Sequence, residues 1–117
     1  MTAAAGLVAV TGATGFVGHA LLDEAQSRGF AVRALTRRKQ DARAGVEWVR
    51  GNLANRASLD ALVRGAEAVI HVAGVVNAPD SAGFEAGNVA GTLEVAGAAV
   101  RAGVPRFVHV SSLSARE

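Results

Sequence analysis

The sequence predicts an α/β domain built on a doubly wound parallel sheet, and three observations predict it. Short apolar runs such as LVAVT, AVRALT and AVIHV show no polar alternation, the mark of strands covered by helices on both faces. Segments of helical period separate these runs, as in right-handed βαβ units. A glycine-rich turn, TGATGFVG, follows the first run. The expected strand order is 3-2-1-4-5, with the switch point between strands 1 and 4 and ligands bound beyond the carboxyl ends of the strands.

Each element follows from its residues. Residues 7–11 end in glycines and make the first strand. Residues 16–28 make a helix: Val17, Leu21 and Ala25 share one face, and Gly29 stands where a helix terminates. Residues 31–36 and 46–49 are the second and third strands. Asn55 or Ser58 caps a short helix through Arg64, with Leu59, Leu62 and Val63 inward. Residues 68–72 are the fourth strand. A long helix is expected over 84–102, where Val89, Leu93, Ala96 and Val100 recur as a helical stripe and Gly103 ends it. Residues 107–111 are the fifth strand.

Composition narrows the function. The 117 residues suit one domain, 50% hydrophobic and 19% charged, which excludes a disordered chain. There is no cysteine, hence neither a disulfide framework nor thiolate chemistry. The net charge is +2, and the arginines are scattered apart from Arg37-Arg38-Lys39, so no basic stripe offers itself to nucleic acid. No stretch has the ~18 apolar residues of a membrane span. The opening MTAAAGLVAV lacks the basic n-region of a signal peptide. The expectation is a cytoplasmic protein.

The glycine loop carries the chemistry. Gly12 lets the chain turn sharply off the first strand. Gly15 removes a side chain where a diphosphate approaches the backbone, and Gly18 lets the helix pack closely on the sheet. The helix N-terminus then offers free N–H groups to an anion. A triplet placed between a strand and a helix is the context of a dinucleotide site. The Gly-Lys-Ser/Thr of a nucleoside triphosphate loop is absent.

An NAD site would place an acid at the end of the second strand. Residues 31–40 read AVRALTRRKQ and contain none. Arg37 and Arg38 stand there instead, suited to pair with a 2′-phosphate. NADP is the expected cofactor. The alternative leaves both arginines as solvated surface, with NAD accepted.

Taken together, TGATGFVG, TRR, GNL, VIHVAG, NVAGT and AGVPRFVHVSSLSARE resemble the NAD-dependent epimerase/dehydratase family, the extended and atypical short-chain dehydrogenase/reductases, over residues 7–117. The resemblance implies a Rossmann-type domain and roles by position. Gly12, Thr14, Gly15, Phe16, Val17 and Gly18 would hold the diphosphate. Asn52 and Leu53 would flank the adenine; the family usually has Asp at the first of these, whose oxygen accepts the adenine amino hydrogen, and Asn keeps an oxygen for that purpose. Ala73 and Gly74 would lie along the ribose and diphosphate, and Asn88 near the nicotinamide. Ser112 falls on the family's active-site hydroxyl, which bonds the oxygen of a small-molecule substrate, with Ser111 the near alternative.

The family's proton donor is the tyrosine of a Tyr-x-x-x-Lys pair, one helix beyond these serines. This sequence has no tyrosine, and its lone lysine is Lys39. The expectation is therefore a single cofactor-binding domain over 1–117 that is part of a longer enzyme, lacking the last strands and the substrate subdomain, and inactive alone. The competing explanation is a naturally short, non-catalytic redox sensor or assembly subunit. The fifth strand would be an open edge, and an open edge invites self-association. The long helix mediates dimer contacts in many members of the family, and Glu94 is expected to face solvent or such a partner.

His19, His71 and His109 lack a metal-binding spacing and are expected as satisfied core residues, although His71 and His109 lie at similar depth on neighbouring strands. Trp48 is expected to pack. Asp80, Ser81 and Glu85 are expected before the long helix, as caps or cleft residues.

Overall fold

Five short strands pair in parallel in the order β3-β2-β1-β4-β5, as expected. The computed structural model describes residues 6–12, 16–72 and 81–110; the side chains at 16–17 and 81–89 fall outside that description. The elements are β1 (Gly6–Thr11), α1 (Phe16–Ser27), β2 (Phe30–Thr36), β3 (Val46–Arg50), α2 (Arg56–Val63), β4 (Ala68–Val72), α3 (Ser81–Ala102) and β5 (Arg106–Val110). The expected boundaries shift by a residue at most strand ends. α3 starts three residues before the expected position, so Ser81 and Glu85 lie on the helix. Asp80 lies outside the described residues.

The strands read as apolar runs because both faces of the sheet are covered. On one face, Val8, Val10, Val32 and Ala34 pack against Leu22 and Ala25 of α1, with Trp48 and Ile70 at the margin. On the other, Ala9, Leu35 and Val69 pack against Leu59, Leu62 and Val63 of α2 and Val95, Ala98 and Ala99 of α3. Trp48 is thus a packing residue, and its Nε1–H donates to the Asp41 carbonyl at 3.2 Å. Leu22 on α1 is fully buried, and the expected Leu21 is only partly buried.

α2 begins at Asn55, whose Oδ1 accepts from Ser58 N–H at 2.9 Å; of the two expected caps, Asn55 is the one used. Its other end is closed by a side chain from the sheet. Arg33 Nη1 donates to the carbonyls of Ala61, Leu62 and Arg64 at 3.1, 3.2 and 2.7 Å. A guanidinium there satisfies the last carbonyls and meets the negative end of the helix dipole. Arg33→Met keeps the aliphatic stem and should lower stability by about 1–3 kcal/mol in urea unfolding. Glu47, 3.2 Å from Arg33 Nε, is largely exposed. Glu47→Gln should therefore change stability by less than about 0.5 kcal/mol. Equal losses in the two variants would place the stabilisation in the ion pair and not in the helix cap.

Of the apolar stripe expected on α3, Leu93 and Val100 face outward, Ala96 is half-buried, and the side chain of Val89 lies outside the described residues. Leu93 is 66% exposed and Val100 79% exposed, whereas Val95, Ala98 and Ala99 are buried. The inward face is built of small residues, which lets α3 sit close: a Cβ on Gly91 would stand 2.7 Å from Leu53 Cδ1. Glu94 is exposed, as expected. β5 is an edge strand, with Phe107 and Val108 partly open. Among the described residues, no helix is long and apolar enough to cross a membrane.

Candidate functional site

The carboxyl ends of β1, β2, β3 and β4 converge on a cleft of about 480 Å³, lined by Thr11, Gly12, Leu35, Thr36, Arg37, Asn52, Leu53, Ala54, His71 and Val72. It opens at the switch point, where β1 is flanked by β2 on one side and β4 on the other.

Gly12 lines the cleft at the end of β1. Its φ is +76°, a conformation that side-chain-bearing residues seldom adopt. A Cβ there would stand 2.7 Å from the Val72 carbonyl oxygen and 2.9 Å from Val72 Cβ. The absent side chain leaves a backbone cradle between β1 and β4, beside the N-terminus of α1. This arrangement fits a diphosphate held by backbone N–H groups and the helix dipole. Gly18 is buried on α1, consistent with its expected packing role. Phe16 and Val17 open that helix. Thr14, Gly15, Ala73, Gly74, Ser111 and Ser112 lie outside the described residues, and Asn88 is located only as a backbone position on α3.

The loop after β2 is tied down by Thr36. Its Oγ1 donates to the Arg38 carbonyl at 2.7 Å and accepts from Arg38 N–H at 3.2 Å and Gln40 Nε2 at 3.1 Å. This turn sets Arg37 at the cleft wall. Both expected arginines are exposed, and of the two Arg37 lines the cleft. After β3, Asn52 Oδ1 accepts from Ala54 N–H at 2.8 Å, and the Asn52 carbonyl accepts from Asn55 N–H at 3.1 Å. The oxygen that the resemblance assigns to adenine is thus turned into its own loop. Leu53 packs against the α2–α3 core and gives the cleft an apolar wall.

A polar row borders the cleft at β1 and β4; the sequence pattern singled out its two histidines, at similar depth on neighbouring strands, but not Thr11 or Thr92. Register pairs Thr11 with His71 and His71 with His109, so all three project from the same sheet face. Thr11 Oγ1 is 2.5 Å from His71 Nδ1, and Thr92 Oγ1 of α3 is 3.0 Å from Nε2. The His109 ring stacks on that of His71, centroids 5.3 Å apart and planes 20° from parallel. His71 is only 2% exposed. Burial pushes its pKa below the ordinary histidine range of about 6.5, and the neighbouring His109 lowers it further. Of the three histidines expected in the core, only His71 is there. His19 and His109 are exposed, because α1 turns the first outward and the second sits on the edge strand. Among the described residues, no group of three or more His, Cys, Asp or Glu is placed to hold a metal.

Comparison with known proteins agrees with this geometry. The sequence profile of the NAD dependent epimerase/dehydratase family matches residues 8–115. The ceramide reductase of Caulobacter vibrioides is 44% identical over 99% of this chain, and the chain covers 38% of that relative. Sterol demethylase protein B of Methylococcus capsulatus is 40% identical over 91% of the chain, and 34% of its own length is covered. The chain thus spans under two-fifths of the length of these curated relatives. A crystal structure of a short-chain dehydrogenase/reductase superfamily protein from Agrobacterium tumefaciens, with bound NAD, superposes with a TM-score of 0.75 at 37% identity, covering 91% of this chain and 32% of that one. Sheet order, glycine cradle and sequence profile agree, and the chain belongs to the NAD-dependent epimerase/dehydratase family.

Proposed function

We propose that this chain is the single dinucleotide-binding domain, over residues 1–117, of a cytoplasmic oxidoreductase, epimerase or dehydratase, and that it binds the adenosine diphosphate half of NADP(H). The observation that carries the reading is the close approach of Gly12 to Val72 at the switch point, a backbone cradle open at the strand ends. When bound, the cofactor supplies hydride exchange with a carbon bearing a hydroxyl or carbonyl. The chain's own residues bind and orient it: Gly12 and the N-terminus of α1 at the diphosphate, Arg37 at the ribose, Leu53 and Asn52 at the base. Thr14, Gly15, Phe16, Val17 and Gly18 complete the loop, Ala73 and Gly74 follow the ribose and diphosphate, and Asn88 stands toward the nicotinamide. Ser112, with Ser111 beside it, bonds the oxygen of a small-molecule substrate. Proton transfer then needs a Tyr–Lys pair from outside these 117 residues, so the chain alone does not turn over. The outward apolar face of α3 and the open edge of β5 support self-association.

NADP preference rests on Arg37 at the cleft and on the lack of an acid over residues 31–40. Replacing Arg37 and Arg38 with alanine should weaken NADPH about tenfold to a hundredfold, with a much smaller effect on NADH. Titration followed by quenching of Trp48, the only tryptophan, reads both affinities. Equal weakening would show that the arginines do not recognise the 2′-phosphate; no quenching at millimolar cofactor would overturn the binding reading. The second reading, a non-catalytic redox sensor or assembly subunit, uses the same site.

A further inference from the structure

Leu53 stands between two spaces. On one side it gives the cleft its apolar wall. On the other it borders a groove of about 430 Å³ between the start of α2 and α3, shared with Arg56, Ala90, Gly91 and Glu94. Beneath it lies the α2–α3 core, against which it packs. The side chain is only partly buried, and its position sets the width of the cleft at the β3 end, two strands away from Gly12.

Gly91 governs that position from behind. It is buried on α3, and a Cβ on it would stand 2.7 Å from Leu53 Cδ1, but 3.7 Å from Leu53 Cβ and 3.8 Å from Cγ. Only the tip of Leu53 thus occupies the space that a side chain at this position needs. A methyl on Gly91 would enter from the groove, which Gly91 itself lines. The core offers no room, because Leu59, Leu62, Val95 and Ala98 are fully buried there and interiors are close-packed. A leucine tip swings more readily than a helix shifts. The direction left open to it is the cleft.

We propose that Gly91 is a positioning residue for the cofactor: having no side chain, it lets the tip of Leu53 rest against α3 and so holds the cleft open at its β3 end. The proposal rests on the dinucleotide reading given above. It makes stability and affinity respond differently to one methyl group. Glycine within a helix carries an entropic cost that alanine does not, so the folding constant of Gly91→Ala should equal that of the unsubstituted chain or exceed it by up to about fivefold. Cofactor binding must then press Leu53 back onto the new methyl, an overpacked arrangement, and NADPH affinity should fall about tenfold.

Gly97→Ala is the matched control. Gly97 lies further along the same helix, and its Cβ would meet Arg101 Nη1 at 3.5 Å, an ordinary contact. It should bring the same helix propensity and leave NADPH affinity within about twofold. Leu53→Ala supplies the second test. It removes the tip, so a methyl on Gly91 meets only the Cβ, at 3.7 Å. In that background Gly91→Ala should change affinity by less than about twofold, whatever Leu53→Ala does by itself.

The experiment measures urea unfolding of the full chain and its NADPH affinity, read by quenching of Trp48, for Gly91→Ala, Gly97→Ala, Leu53→Ala and the Leu53→Ala, Gly91→Ala pair. An unchanged affinity in Gly91→Ala would overturn the proposal. So would an equal loss in Gly97→Ala, or an equal loss with and without Leu53, since either places the effect in the helix and not in the wall. A fall in the folding constant of Gly91→Ala above about tenfold would overturn it as well, by showing that Leu53 has no open side to move into. In each of these cases the unsubstituted chain still binds NADPH and the functional reading stands. Absence of binding by the unsubstituted chain would overturn that reading and the proposal with it.

Discussion

Gly12→Val should abolish dinucleotide binding and lower stability by about 3 kcal/mol. Two costs add. The left-handed backbone at φ +76° disfavours any L side chain by about 1–2 kcal/mol, more for a β-branched one. The new Cβ would also stand 2.7 Å from the carbonyl oxygen of Val72. Val72 closes β4 and is paired to Val110 of β5, so the obstacle is backbone held in a ladder and cannot swing aside. Relief requires β1 and β4 to part at their carboxyl ends, which destroys the cradle. Gly29→Ala is the control: its φ is +84°, but nothing stands within 4 Å of its Cβ position. It should cost about 1 kcal/mol and leave NADPH affinity unchanged. Urea unfolding and cofactor titration of both variants separate strain from lost recognition. Retention of NADPH affinity in Gly12→Val would remove the cradle from the account.

His71→Ala should cost about 3 kcal/mol. The ring is fully enclosed, so its removal leaves a cavity, and it takes away the partner of Thr11, itself 2% exposed. His71→Phe refills the volume but leaves the Thr11 hydroxyl without the ring nitrogen, and should cost about 1–3 kcal/mol. A pH dependence accompanies this. The folded-state pKa of His71 lies below 6.5, through burial first and His109 second. Below pH 6.5 the unfolded chain binds the proton and the folded chain does not, so stability falls as pH falls, until the folded pKa is reached. The slope from this residue is at most about 1.4 kcal/mol per pH unit. Above pH 6.5 its contribution is constant. His71→Phe removes this part of the slope, read as the difference between the two pH–stability curves from pH 5 to 8. Parallel curves would show that His71 titrates alike in both states.

Much of the architecture is legible in single residues. β4 falls on residues 68–72 as expected, because an apolar run bounded by polar and glycine residues admits one alternative only. Asn55 before Arg56 and Leu59-Leu62-Val63 three and four apart give α2 both its start and its buried face. The tight turn after β1 was legible in Gly12, which has a φ of +76° and meets Val72 where a side chain would stand. The helix of α3 was equally legible, but not its orientation. Leu93 and Val100 make the more hydrophobic stripe, yet Val95, Ala98 and Ala99 are buried, because the neighbouring α2 and β4 admit a close helix with small side chains.

The sequence by itself determined the order of elements, the parallel sheet and the position of the glycine loop, because these depend on hydrophobic period and on backbone conformation within a few residues. Only the tertiary structure decided what depends on register and on neighbours distant in the chain. It joins Thr11 to His71 across 60 positions and stacks His109 on that ring, since parallel pairing sets those residues in one row. It carries Arg33 to the end of α2, 28 to 31 positions away. It sets Arg37, and not its equally exposed neighbour Arg38, on the cleft wall, beside a turn held by Thr36. And it turns the amide oxygen of Asn52 inward, a choice made by the free N–H of Ala54 and invisible in the letters N and D.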